Sequence, residues 1–114
     1  MVCLHLYGNA QQRGAWNTWD QAFHLKPCVR SVMDAHGDQD KLIVSTESGA
    51  HASVTGETEQ ANVVRNAFAD FASRPKTGFI LIYTMMNDAK HLAGWGLLDD
   101  ARQPRPAYYE LQKA

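Results

Sequence analysis

An α/β fold on a parallel sheet is what this sequence predicts, and three observations carry the prediction. The short apolar runs Val2–Tyr7, Leu42–Thr46 and Phe79–Tyr83 are continuous rather than alternating, the pattern of strands covered on both faces. Segments with helical spacing fall between and after them, and this alternation of strand and helix argues for parallel βαβ units with right-handed crossovers. A length of 114 residues, with 45% hydrophobic and 20% charged side chains, describes one folded domain spanning residues 1–114. It is too short for a whole eight-stranded α/β barrel, which takes roughly 250 residues.

Each element has its own justification. The first run, Val2 to Tyr7, is apolar and partly β-branched, and Gly8-Asn9 ends it. From Ala15 to His36 come Trp16, Trp19 and Phe23, then Val29, Val32 and Met33 at helical spacing after Pro27, a residue suited to a first turn. Gly37 stops that helix. The second strand, Leu42 to Thr46, is entered from the polar turn Gly37-Asp38-Gln39-Asp40, closes at Glu47 and leaves through Ser48-Gly49. A longer helix starts at Thr55 or Thr58. Glu57 and Glu59 suit the positive end of its dipole, and Ala61, Val64, Ala67, Phe68, Phe71 and Ala72 form one apolar stripe. Pro75 and Gly78 lead into the third strand, Phe79 to Tyr83. An irregular stretch follows, holding Asn87, Asp88, Trp95 and Gly96, before Pro104 and Pro106 open a terminal helix from Ala107 to Lys113.

Charge and motif content exclude several classes of function. Eleven Lys and Arg against twelve Asp and Glu give a net charge of −1, so no basic field exists to hold a phosphate backbone and no nucleic-acid partner is expected. The longest apolar stretch is far short of a membrane span, and the N-terminus lacks the basic segment and apolar run of a signal peptide. No membrane partner is expected. Cys3 and Cys28 have neither CxxC spacing nor the density of a disulfide scaffold and read as buried free thiols, which leaves the compartment open. The five histidines form no HExxH or other compact pattern, and GxSxG, Walker and GxGxxG motifs are absent, so neither a metal nor a cofactor is expected.

Active sites of parallel α/β folds lie beyond the carboxyl ends of the strands, and here those ends are polar. His5 and Tyr7 leave the first strand; Ser45, Thr46, Glu47 and Ser48 leave the second; Tyr83, Thr84, Asn87 and Asp88 follow the third. An acid at the mouth of a buried strand keeps its charge only if it finds hydrogen-bond partners, and His5 and Tyr7 stand on the neighbouring strand. Glu47 is therefore the leading candidate for chemistry. Quieter readings stand beside it: Glu47 as a loop cap or the partner of a lysine, His5 and Tyr7 as satisfied core groups, His51 as a solvated loop residue. Trp95 fits a rim cover as well as a sugar platform, and Trp16 and Trp19 fit helix or loop packing.

The residues Thr46-Glu47-Ser48-Gly49, following the strand Lys41 to Ser45, resemble the TE-x-G strand end of (β/α)8-barrel retaining glycoside hydrolases, the clan of cellulases and β-xylosidases. His5-Leu6-Tyr7-Gly8 is similar to that clan's preceding strand exit. Gly78 to Tyr83 with Asn87-Asp88, and Gly94-Trp95-Gly96-Leu97-Leu98-Asp99 with Pro104-Arg105-Pro106-Ala107-Tyr108, are similar to its last strand and closing segment. Together they cover nearly the whole chain. The resemblance implies the three carboxyl-terminal βα units of a barrel (strands six to eight), with Glu47 as nucleophile, a carbohydrate as substrate, and His5, Tyr7, Tyr83, Asp88 and Trp95 facing the sugar.

Two departures limit that implication. Retaining hydrolysis needs a second carboxyl group about 5 Å from the first. The clan's comes from an Asn-Glu pair that this chain lacks, and Glu57, Glu59 and Glu110 are expected within or beside helices, away from the strand exits. The clan's tryptophan at the last strand is replaced by Tyr83-Thr84-Met85, leaving Tyr83 or Trp95 to form the platform. The expectation is a glycosidase fragment with one of two catalytic carboxylates; a noncatalytic carbohydrate-binding or assembly module is the alternative. Three parallel strands also leave two open edges, so self-association or pairing with further barrel strands is expected.

Overall fold

The computed structural model describes residues 1–14, 17–87 and 93–114. Strands β1 (Val2–Tyr7), β2 (Ile43–Gly49) and β3 (Thr77–Ile82) form a single parallel sheet in the order β1-β2-β3. Helix α1 (Val29–Ala35) lies between the first two strands, α2 (Ala52–Thr55) and α3 (Glu57–Ser73) between the second and third, and α4 (Pro106–Gln112) follows the last. The fold is α/β with interleaved helices, as the alternation of apolar runs predicts.

Local chemistry sets the helix limits. Cys28 caps α1, its Sγ accepting from the Ser31 amide while Ser31 Oγ accepts from the Cys28 amide. Pro27 therefore precedes the cap instead of occupying the first turn. Gly37, at φ +82°, takes the left-handed position just beyond the end of α1, where a side chain is costly. Helix α3 has no side-chain cap, but Glu57 and Glu59 stand in its first turn. A π-helical turn, Asp20–His24, and the short α2 are additions that the apolar spacing did not announce.

The core lies on one face of the sheet. Leu6, Ala10, Trp19, Ala22, Ala67 and Phe71 form one buried cluster, with Leu4, Phe23 and Ile80 against it. Ala61, Val64, Leu97 and Ala107 form a second, flanked by Phe68, Ile82, Tyr108 and Leu111. Helix α3 contributes to both through the stripe read from the sequence. Trp19, wholly buried, meets Phe71 edge-on at 6.2 Å, so its packing role is realised; Trp16 lies outside the described residues.

Burial on both faces holds only for the central strand. Ile43, Val44, Ser45, Ser48 and Gly49 of β2 are buried, whereas Phe79 and Leu81 of β3 are 47% and 52% exposed and Cys3 of β1 is exposed. The expectation of two covered faces, and of two buried thiols, is corrected for the outer strands: helices cover only the face holding Leu4, Leu6, Ile80 and Ile82. The alternate residues stand on the open face because successive side chains of a strand point to opposite sides.

Candidate active site

Glu47 reaches the open face through an irregularity in β2. The register runs Leu4 to Ser45 and then His5 to Glu47, so one residue, Thr46, is extra on β2. Without that bulge Glu47 would oppose Leu6 and point into the apolar helix layer. With it, Glu47 shares a face with His5 and Tyr7, while Ser45 and Ser48 take the core positions opposite Leu4 and Leu6. Ser45 Oγ donates to the Glu47 carbonyl at 2.8 Å, tying the bulge to its own strand.

The side chains then converge. Tyr7 Oη donates to Glu47 Oε2 at 2.7 Å, and His5 Nδ1 lies 3.3 Å from the same oxygen. The Glu47 side chain stays 33% exposed, so its other oxygen is left to solvent or a ligand. Burial, the hydrogen bond to Glu47 and the negative charges of Glu47 and ionised Tyr83 all hold the Tyr7 phenol protonated well above its ordinary range. A neutral donor thus fixes the carboxylate without cancelling its charge.

Trp95 is the hub beside this pair. Its ring meets Tyr7 edge-on at 5.5 Å, Tyr83 at 5.9 Å and His51 at 5.3 Å. The loop that carries it is held by two side-chain amides: buried Gln60, whose Nε2 donates to the Ala50, Trp95 and Gly96 carbonyls, and half-buried Asn87, whose Oδ1 accepts from the Gly94 and Gly96 amides. Gly94, at φ +89°, lies directly against the His51 ring, where any Cβ would collide with it. The Tyr83–Thr84 peptide bond is cis.

Of the residues singled out in the sequence, His5, Tyr7, Glu47, Tyr83 and Trp95 meet in this constellation, and Asp88 lies outside the described residues. His51 corrects the sequence reading: it is half-buried, its Nδ1 is enclosed without a hydrogen-bond partner among the described residues, and its ring packs on Trp95. Glu59 is a second correction. Although it is helical, it accepts from Asn9 Nδ2 just beyond β1 at 2.9 Å and so stands at the strand exits. Only the length of the loop after β2, which returns α3 to the strand mouths, hinted at either. Among the described residues, no group of three or more His, Cys, Asp or Glu is arranged to hold a metal, and no helix is long and apolar enough to cross a membrane.

No protein-family model, no curated protein and no solved structure matches this chain.

Proposed function

We propose that Glu47 is the nucleophile of a retaining glycoside-hydrolase site, and that this chain supplies three consecutive βα units of a (β/α)8-type barrel. The observation that carries the reading is the hydrogen bond from Tyr7 Oη to Glu47 Oε2 at the open ends of adjacent parallel strands. It leaves Oε1 to attack the anomeric carbon. In that step the new C–O bond to Glu47 forms as the glycosidic C–O bond breaks, and water later hydrolyses the glycosyl ester. His5, Tyr83 and Trp95 line the sugar, and Asp88 joins them in this proposal. The sequential strand order supports the barrel reading, since a singly wound sheet places each strand beside its predecessor.

A noncatalytic carbohydrate-binding or assembly module is the second reading, favoured by the fate of the other glutamates. Glu57 pairs with Arg105 and Glu110 with Lys113, while Glu59 is engaged by Asn9 and Asn62. In both readings the uncovered face and the outer edges of β1 and β3 accept further strands, from a second copy or from the rest of a barrel.

Dinitrophenyl glycosides separate the two, because their leaving group departs without a proton. Incubation with several sugars is expected to give a covalent glycosyl adduct by intact mass, absent in Glu47→Gln. Sugar binding without an adduct in either protein favours the module. Equal turnover by both proteins removes Glu47 from the reaction. Efficient cleavage of an unactivated polysaccharide would reveal an acid, with Asp88 the first residue to substitute.

A further inference from the structure

Tyr7 and Trp95 also line an open cleft of about 570 Å³ that Glu47 does not. Its size is that of a small-molecule site. Its lining combines the apolar Ala50, Val54, Val63, Tyr7 and Trp95 with the polar Asn9, Gln12, His51, Thr55 and Glu59. The two carboxylates in the first turn of α3 differ sharply. Glu57 turns outward to Arg105, whose Nε lies 3.1 Å from Oε1, whereas Glu59 turns into the cleft.

Neutral amides alone reach the Glu59 carboxylate among the described residues. Asn9 Nδ2 donates to Oε1 at 2.9 Å and Asn62 Nδ2 to Oε2 at 3.2 Å. Asn9 is itself buried and fixed by Asn66, whose Nδ2 donates to its Oδ1 at 3.0 Å. The Arg65 guanidinium donates to Asn62 Oδ1 at 2.7 Å instead. A carboxylate has about four acceptor positions, of which the described residues take two on Glu59. Among the described residues no cationic side chain pairs with it, and the aromatic side chains of Tyr7 and Trp95 line the same cleft.

We propose that this cleft is a second binding site, specific for a small organic ammonium with a ring-sized apolar body. The ammonium donates to Glu59 and the ring lies along Trp95, Val54 and Val63. A carboxylate-bearing ligand of the same shape is repelled. The site is independent of any chemistry at Glu47, although the two share the Tyr7–Trp95 wall.

The probe is 2-phenylethylamine, followed through the backbone amide resonances of Asn9, Ala50 and Val54, with 2-phenylethanol and phenylacetate as uncharged and anionic counterparts. The amine is expected to shift these resonances with millimolar affinity, the range open to so few heavy atoms. The alcohol should bind several-fold more weakly and phenylacetate not at all. Glu59→Gln should weaken the amine roughly tenfold, the loss of one charge-assisted hydrogen bond, and Glu47→Gln should leave it unchanged. Because Glu59→Gln disturbs the asparagine network, a second variant is needed: Val54→Arg, at an exposed position on the rim, sets a cation at the mouth and should likewise weaken the amine. Equal binding of amine and alcohol, loss of binding in Glu47→Gln but not Glu59→Gln, or unshifted cleft amides at saturating amine would each overturn the proposal.

Discussion

The two faces of the sheet are built from the same three strands and obey different rules. Toward α3 the side chains are Leu4, Leu6, Ile80 and Ile82, and shape decides everything: Trp19 packs against Phe71 of the helix to close the core. Toward the open side stand His5, Tyr7 and Glu47 with the half-exposed Phe79 and Leu81, and there packing decides little. The first face needs only apolar residues of about the right volume. The second carries a carboxylate, an imidazole and a phenol at fixed distances, which an apolar core has no use for. The difference teaches that the helix layer holds the fold together while the open face fixes polar groups that packing alone does not require.

The comparison breaks most directly at Trp19. Its indole is wholly buried between Phe23 and Phe71, so Trp19→Ala leaves a cavity and should cost about 3–5 kcal/mol, a large share of the roughly 5–15 kcal/mol that holds a small domain. Urea denaturation is the measurement. A loss below about 1 kcal/mol would show that the helix layer is not what stabilises the fold.

The converse substitution is Leu81→Asp on the open face. With the side chain 52% exposed, it should alter the stability of the monomer by less than about 0.5 kcal/mol. Its effect is expected in association: the wild-type chain sediments as oligomers whose share grows with concentration, and the variant shifts toward monomer. Monomeric sedimentation of the wild type at all concentrations would mean that this face does not recruit a second copy.

Acid should act on the helix side through Asp20. Asp20 lies in the π-helical turn, where its Oδ2 accepts from the Gly14 amide and its Oδ1 stands 2.8 Å from His24 Nδ1 and 3.5 Å from Arg13. The Gly14 bond, then His24 and Arg13, hold its carboxyl below the usual range despite burial, which acts the other way. Its folded pKa is therefore lower than its unfolded one. The stabilisation is complete above the unfolded value of about 3.9 and disappears as the pH falls through the folded value. Asp20→Asn should lower stability at neutral pH and flatten the decline below about pH 4, read from thermal unfolding across pH.

How much of this was legible in the sequence follows from the same contrast. Helix α3 and the three strands were readable because apolar periodicity is a property of neighbouring residues, and Ala61, Val64, Ala67 and Phe71 repeat at helical spacing. The exposure of Phe79 and Leu81 was not, since an apolar run states what a strand can bury, not whether a partner arrives to cover it. The pairing of Glu47 with Tyr7 was readable from the matched strand exits, but the bulge at Thr46 that brings it about is marked by no local pattern. Residues such as His51 and Glu59 escaped for a related reason: their neighbours, Trp95 and Asn9, lie 44 and 50 positions away and come together only through the sheet.

The smallest effect tests the hydrogen bond at the centre of the candidate site. Tyr7 is one of four tyrosines, and burial, the bond to Glu47 and nearby negative charge all favour its neutral form. Its folded pKa lies above the unfolded value of about 10, so its contribution to stability is complete below that pH and declines as alkali takes the solution toward the folded value. An ultraviolet titration of the folded chain should show a phenol ionising above the ordinary range, and Tyr7→Phe should abolish that late step. Glu47→Gln removes the acceptor's charge but not the burial that is the largest cause, so the late step should move to lower pH while staying above the ordinary range. Were Glu47→Gln to leave the titration unchanged, Tyr7 would not be donating to Glu47, and the open face would lose the contact that sets it apart from the helix side.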